Sequence, residues 1–231
     1  MCGIAGIIVD DPSRLQREGL STLGRALRHR GPDGEGQWVS PDGRIGLVHR
    51  RLAIIDTSSL GDQPMHSADG RYTIVFNGEI YNFVELRDEL KARGVQFRSE
   101  SDTEVILEAW RRWGQDMLLR FNGMWALVLV DQRSGEVFMA RDRFGIKPLH
   151  YAESPGRVVF ASEMRALRTQ PGVGDALDPA VATRLLFDPF SIEGSDRTLF
   201  AGIRRLPAGH CAVLRQGRLV VRRWWRTTTF R

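Results

Sequence analysis

Two kinds of apolar spacing alternate along the chain. Residues 2–9, CGIAGIIV, form an unbroken apolar run closed by Asp-Asp-Pro, as expected of a strand buried on both faces. Over 17–28 the spacing changes. Leu20, Leu23 and Leu27 recur at intervals of three and four, predicting a helix that ends before the Gly- and Pro-containing loop at 29–34. Residues 45–55 and 72–76 return to strand patterning, and the second run ends at Asn77-Gly78, a dipeptide that favours a tight turn. Two helices follow. The first, 82–93, lines up Phe83, Leu86 and Leu90 and is closed by Gly94. The second starts at Ser101 or Asp102 as N-cap and turns Val105, Ile106, Ala109 and Trp110 inward. Beyond it the pattern predicts strands at 124–131, 136–141, 148–152 and 157–161, short helices at 163–169 and 178–187, and a hairpin of 209–215 and 218–225 joined at Gln216-Gly217.

Strands, then two helices, then more hairpin-linked strands imply a layered α+β fold with antiparallel sheets. No GxGxxG or P-loop follows a strand, so nucleotide binding within this segment is not expected. At 231 residues, 42% apolar and 26% charged, the chain can bury a substantial core. Its longest apolar runs, such as Trp125 to Val130, fall far short of the roughly 20 residues needed to span a bilayer. Residues 1–9 lack the basic leader and processing site of a secretory signal, so a cytoplasmic protein with no membrane contact is expected. In a reducing compartment Cys2 and Cys211 stay thiols, and neither has a second Cys or His at metal-ligand spacing.

The net charge of +5 is uneven, because residues 204–231 carry eight arginines and no acid. Without a nucleic-acid motif or interleaved aromatics, this segment reads as a solvated strand pair rather than a nucleic-acid surface. Arginine exceeds lysine throughout, with only Lys91 and Lys147, which reads as a compositional habit of the source.

The sharpest chemical signal is the beginning, Met1-Cys2-Gly3. Removal of Met1 would leave a thiol and a free α-amine on one residue. The amine has a reference pKa of about 7.7–8.0 and the thiol about 8.5, so at neutral pH the amine can accept the thiol proton. No separate histidine base is then required.

Seven strings then occur in one order: MCGIAGI at 1–7, RHRGPDG at 28–34, HRRLAIID at 49–56, FNGEIYN at 76–82, SDTEVILEAW at 101–110, FNGMWALVLVD at 121–131 and RDRFGIKPLHY at 141–151. In these the chain resembles the class II glutamine amidotransferases, which use an N-terminal nucleophile, and within them the glutamine-hydrolysing asparagine synthetase group. The agreement covers nearly the whole chain and weakens after about 170; the Pro-Asp of RGPDG is similar to the asparagine synthetase branch.

The resemblance implies a four-layer αββα sandwich of two antiparallel sheets, spanning 1–231 as one domain. It implies Cys2 as the nucleophile, with Asn77 (side-chain amide) and Gly78 (backbone N–H) as oxyanion donors. It assigns Arg51 to the α-carboxylate of glutamine, a bidentate task suited to guanidinium, and Asp102 and Glu79 to the α-ammonium. Arg50, one position earlier on the strand, should face the opposite way. Arg28, His29, Gly31 and Asp33 are expected to support the pocket, and neither His29 nor His49 to act as a base. Arg141 and Asp142 read as a packing segment held by buried charge pairing, and Cys211 as a core thiol.

Members of this family pass ammonia to a second unit; in the asparagine synthetase group that unit follows the first, uses ATP and Mg and carries a Ser-Gly-Gly-x-Asp-Ser loop that is absent here. The resemblance therefore implies no cofactor in this segment, a synthetase domain or subunit as partner, and a homodimer as an expectation. Two other readings stay open: an amidotransferase for a different carboxylate acceptor in specialised metabolism, and a regulatory copy that binds glutamine without turnover.

Overall fold

In this computed structural model residues 1–227 are described; residues 228–231, the end of the basic segment, lie outside the described residues. The chain runs β1 (Gly3–Val9), α1 (Arg17–Ala26), β2 (Gly34–Val39), β3 (Ile45–Arg51), β4 (Met65–His66), β5 (Tyr72–Ile80), α2 (Phe83–Ala92) and α3 (Asp102–Trp113). It continues with α4 (Met117–Arg120), β6 (Gly123–Asp131), β7 (Glu136–Arg141), β8 (His150–Ser154), β9 (Arg157–Ala161), α5 (Met164–Leu167), α6 (Pro179–Phe187), β10 (Arg204–Arg205), β11 (His210–Arg215) and β12 (Arg218–Arg223).

The strands form two six-stranded sheets, ordered β10-β8-β9-β1-β3-β2 and β12-β11-β7-β6-β5-β4. Every pairing is antiparallel. Apolar side chains sort by strand alternation into three clusters, one for each space between four layers. Ile4, Leu47, Val75, Val128 and Phe160 fill the space between the sheets. Ala5, Val48 and Ala161, on the other face of the first sheet, meet Leu20, Leu23 and Leu27 of α1 and Leu167 of α5. Ile74, Phe76 and Leu127 on the outer face of the second sheet meet Leu86 and Leu90 of α2 and Ile106 of α3. The expected αββα sandwich is therefore the fold. β1 lies mid-sheet, and all seven of its residues are buried, as its continuous apolar run required.

Several boundaries differ from the sequence expectations. β3 ends at Arg51, so 52–55 belong to a connection rather than a strand. The expected turn at Asn77-Gly78 is absent. β5 runs through both residues to Ile80, paired with β6 from Tyr72↔Asp131 to Ile80↔Gly123. Glycine is needed at 78 because a Cβ there would collide with the Met124 carbonyl and Trp125. The short strands β2, β4 and β10 gave no sequence signal. β2, GEGQWV, is largely polar or glycine and lies at a sheet edge with only partial burial. The final hairpin turns at Gln216-Gly217, both with positive φ, as a two-residue connection demands.

Candidate functional site

One cleft of about 210 Å³ is lined by Cys2, Arg51, Asn77, Gly78, Glu79 and Asp102 together. Six residues from four separate stretches of sequence thus converge. The volume lies below the roughly 300–1,000 Å³ of sites for drug-sized ligands and suits a molecule the size of a free amino acid.

Cys2 precedes β1 and is half-buried at the mouth of the cleft. The Leu52 N–H donates to its Sγ at 3.4 Å, and the thiol faces the Leu52 carbonyl at 3.6 Å. Burial pushes the thiol pKa up. The Leu52 hydrogen bond, the positive chain terminus and Arg51 work against that rise. Among the described residues no imidazole is hydrogen-bonded to the sulfur. His49 is buried between the sheets with Nε2 3.2 Å from the Phe76 carbonyl, and burial lowers its pKa to about 3. His29 sits beside Glu163 and Arg165 on the surface. Met1 lines the same cleft and is exposed.

The open edge of β5 supplies the donors. The N–H and C=O of Trp125 both turn to Asp142, so Gly78 opposite it lacks a ladder bond to β6 and its N–H points off the other side of the strand. Its two like-facing neighbours are occupied. The Phe76 N–H donates to Gln63 Oε1 at 2.6 Å and the Ile80 N–H to Asp102 Oδ2 at 3.0 Å. Between them the Gly78 N–H faces the cleft. Asn77 is 1% exposed, and its Nδ2 is buried with no hydrogen-bond partner. A buried donor left unsatisfied costs about 1–3 kcal/mol, which a negative oxygen in the cleft would return.

Asp102 is the first residue of α3. The N-cap is Ser101, whose hydroxyl oxygen accepts from the Thr103 N–H, leaving the Asp102 carboxylate free to line the cleft. Burial raises its pKa to about 6, helped by the negative charge of Glu79 and opposed by hydrogen bonds from the Ile80 and Thr103 N–H groups. No cation pairs with Asp102 or Glu79 among the described residues. This end of the cleft is an acidic pair facing a space that would take a cation.

Arg51 ends β3, and its guanidinium is already engaged. Nη1 donates to the Ser58 carbonyl at 2.8 Å and to Asp62 at 2.7 Å, and Nη2 to the Asp56 carbonyl. It therefore pins the 56–62 loop over the cleft, with Nε and the second Nη2 hydrogen left for a ligand. Arg50 points the other way, to the Gly24 carbonyl and Glu35, as strand alternation requires.

The loop at 28–34 braces this arrangement. Gly31 packs where a Cβ would strike the Arg50 backbone, and Asp33 accepts from the Ala53 N–H at 2.9 Å. Arg30, which the sequence did not single out, does most of the bracing: it donates to the Cys2 carbonyl at 2.8 Å and pairs with Glu163 at 2.9 Å. The segment at 141–147 differs from the expected charge pairing. Arg141 donates to the carbonyls of Lys147, Leu206 and Gly145, while Asp142 accepts from the N–H groups of Trp125, Phe144, Ile146 and Lys147. The buried charges are satisfied by backbone. Lys147 was also missed; it is buried and lines the cleft. The only available signal was a lysine, one of two, in an arginine-rich chain.

Residues 1–225 match the family model described as "Glutamine amidotransferase domain". Asparagine synthetase [glutamine-hydrolyzing] 1 of Bacillus subtilis is 40% identical over 170 residues, covering 72% of this chain and 26% of that protein. Asparagine synthetase [glutamine-hydrolyzing] 3 of the same organism is 34% identical over 231 residues, covering 97% and 36%. Asparagine synthetase [glutamine-hydrolyzing] 2 of Arabidopsis thaliana is 44% identical over 169 residues, covering 72% and 28%. The chain thus spans about a quarter to a third of the length of these relatives. Among solved structures, a glutamine phosphoribosylpyrophosphate amidotransferase from B. subtilis superposes with a TM-score of 0.69 at 19% identity, covering 98% of this chain and 50% of the other, a likeness of fold. Matched along almost its whole length, the chain belongs to the glutamine amidotransferase domain family.

Proposed function

We propose that the protein hydrolyses the side-chain amide of glutamine through a thioester on Cys2 and supplies the ammonia to an ATP-dependent, amide-forming synthetase unit. The observation that carries this reading is the buried, partnerless Asn77 Nδ2 next to the outward-turned Gly78 N–H, in one cleft with a thiol and an acidic end.

With Met1 removed, the Cys2 amine takes the Sγ proton and the thiolate attacks the amide carbon. The carbonyl electron pair moves onto oxygen, where Asn77 and Gly78 donate to it. Collapse of this intermediate breaks the C–N bond, and the ammonium of Cys2 returns its proton to the leaving nitrogen, releasing ammonia. Water, deprotonated by the same amine, then attacks the thioester; glutamate leaves and the thiol re-forms. Burial of Cys2 raises its pKa, so a built-in base has a clear task. Asp102 and Glu79 hold the α-ammonium of glutamine, and the unused donors of Arg51 hold its α-carboxylate.

The partner is the unit that the relatives' extra length accommodates, and ATP and Mg²⁺ act there. An apolar group beside the cleft supports docking of such a unit. Phe144 is 70% exposed and Ile146 55%, and Ile146 precedes Lys147 of the cleft wall. We place the reaction in the cytoplasm, where a reducing milieu keeps Cys2 a thiol; among the described residues no helix is long and apolar enough to cross a membrane. Amide transfer to aspartate is the acceptor reaction that the relatives' names support.

The test is glutamate release by a Cys2→Ala variant, with circular dichroism to check the fold. The variant should fold and lose turnover. Normal turnover would refute the nucleophile.

A further inference from the structure

At the opposite end of the sandwich from Cys2 lies a second, larger cleft of about 360 Å³, within the size range of small-molecule sites. The far end of β1 and four hairpin turns enclose it: β2–β3, β6–β7, β8–β9 and β11–β12. Its floor is apolar, with Ile45 3%, Val158 6% and Leu214 4% exposed. Its rim is charged, and the acids there divide by their partners. Asp10 pairs with Arg14, and Asp42 accepts from the Ser40 hydroxyl and the Arg44 N–H. The remaining charges, Glu153, Arg44, Arg133 and Arg157, are in no ion pair among the described residues; Arg157 already donates to the Pro171 carbonyl and Gln170 Oε1, which leaves Glu153, Arg44 and Arg133 for a ligand.

We propose that this cleft binds a free α-amino acid with an apolar side chain. The three parts of such a ligand match the three unmet features. Its carboxylate pairs with Arg44 and Arg133, its ammonium with Glu153, and its side chain lies on Ile45, Val158 and Leu214. An inorganic anion would use the guanidiniums alone, leaving Glu153 and the apolar floor unmatched. The arrangement repeats the chemistry of the Cys2 cleft, acid and arginine around a small space, without a nucleophile.

The experiment is a titration of the ¹⁵N-labelled protein with L-leucine, followed through the amides of Ser134, Gly156 and Gly217. N-acetyl-L-leucine and inorganic phosphate serve as comparison probes. Saturable shifts at those three amides are expected, with a dissociation constant on the order of 1 mM. The Arg44→Ala/Arg133→Ala pair should weaken leucine binding about tenfold or more, as expected for lost charge-assisted bonds. Glu153→Gln should bring leucine down to the level of N-acetyl-leucine. The proposal is overturned if leucine causes no saturable shift by about 30 mM, if shifts occur only around Asn77, Gly78 and Asp102, or if phosphate saturates the same amides as tightly as leucine.

Discussion

β1 connects two clefts made of similar residues to different standards of burial. At its Cys2 end, Asn77 is 1% and Asp102 5% exposed, and both are locked in place by strand β5 or helix α3. At its Val9 end, Arg44 and Arg133 stand exposed on hairpin turns and Glu153 stands exposed near the end of β8. On the proposed roles, the contrast would separate reaction from recognition. A donor stabilises a transient oxyanion strongly only where water is excluded and the donor is already oriented, whereas solvated charges on turns can select a ligand without distorting it. Burial raises Asp102 to about 6 and raises Cys2.

The comparison can be sharpened first at Asn77. Replacing it with Ala should lower kcat for glutamine hydrolysis by about 100- to 1000-fold. Because its Nδ2 has no partner in the unliganded fold, thermal stability should change little; a large stability loss with unchanged kcat would move Asn77 to a structural role. Leu23→Ala, under the first sheet, should do the reverse. It should cost about 2–5 kcal/mol in stability by opening a cavity, measured by denaturant unfolding, with kcat preserved while the protein remains folded.

Asp102 predicts a pH effect of definite sign. Its raised pKa means the carboxylate is ionised above about 6 and protonated below, so the hold on an α-ammonium is lost as pH falls through that value. Calorimetry of glutamine binding to the Cys2→Ala variant should show affinity falling below pH 6, and Asp102→Asn should abolish that dependence while weakening binding about tenfold at pH 7.5. Binding to the Asp102→Asn variant that still weakened below pH 6 would assign the titration elsewhere. The smallest effect is expected at the far end: Arg44→Ala should leave hydrolysis within about twofold of the parent protein.

Much of this was legible in the chain, for reasons that differ by region. β1 was readable because burial on both faces demands an unbroken apolar run, and α1 because Leu20, Leu23 and Leu27 face one sheet. Cys2, Arg51, Asn77, Gly78, Glu79 and Asp102 were named from motif strings, and the fold brings all six to one cleft. The strand ending placed at Asn77-Gly78 failed because a local turn preference was overridden by nine consecutive pairings with β6. Arg30 was passed over because its value lies in reaching the Cys2 carbonyl, 28 positions away, and nothing local records that contact. Arg141 and Asp142 look like an ion pair in sequence. Only the fold shows that backbone carbonyls and N–H groups satisfy them.

The central claim is that the sulfur and its base share one residue. It is tested most directly by comparing glutamate release from protein beginning at Cys2, verified by intact mass, with the same chain retaining Met1. The account predicts turnover in the first and a loss of at least about 100-fold in the second, the typical worth of a positioned base. Equal turnover by both forms would contradict it.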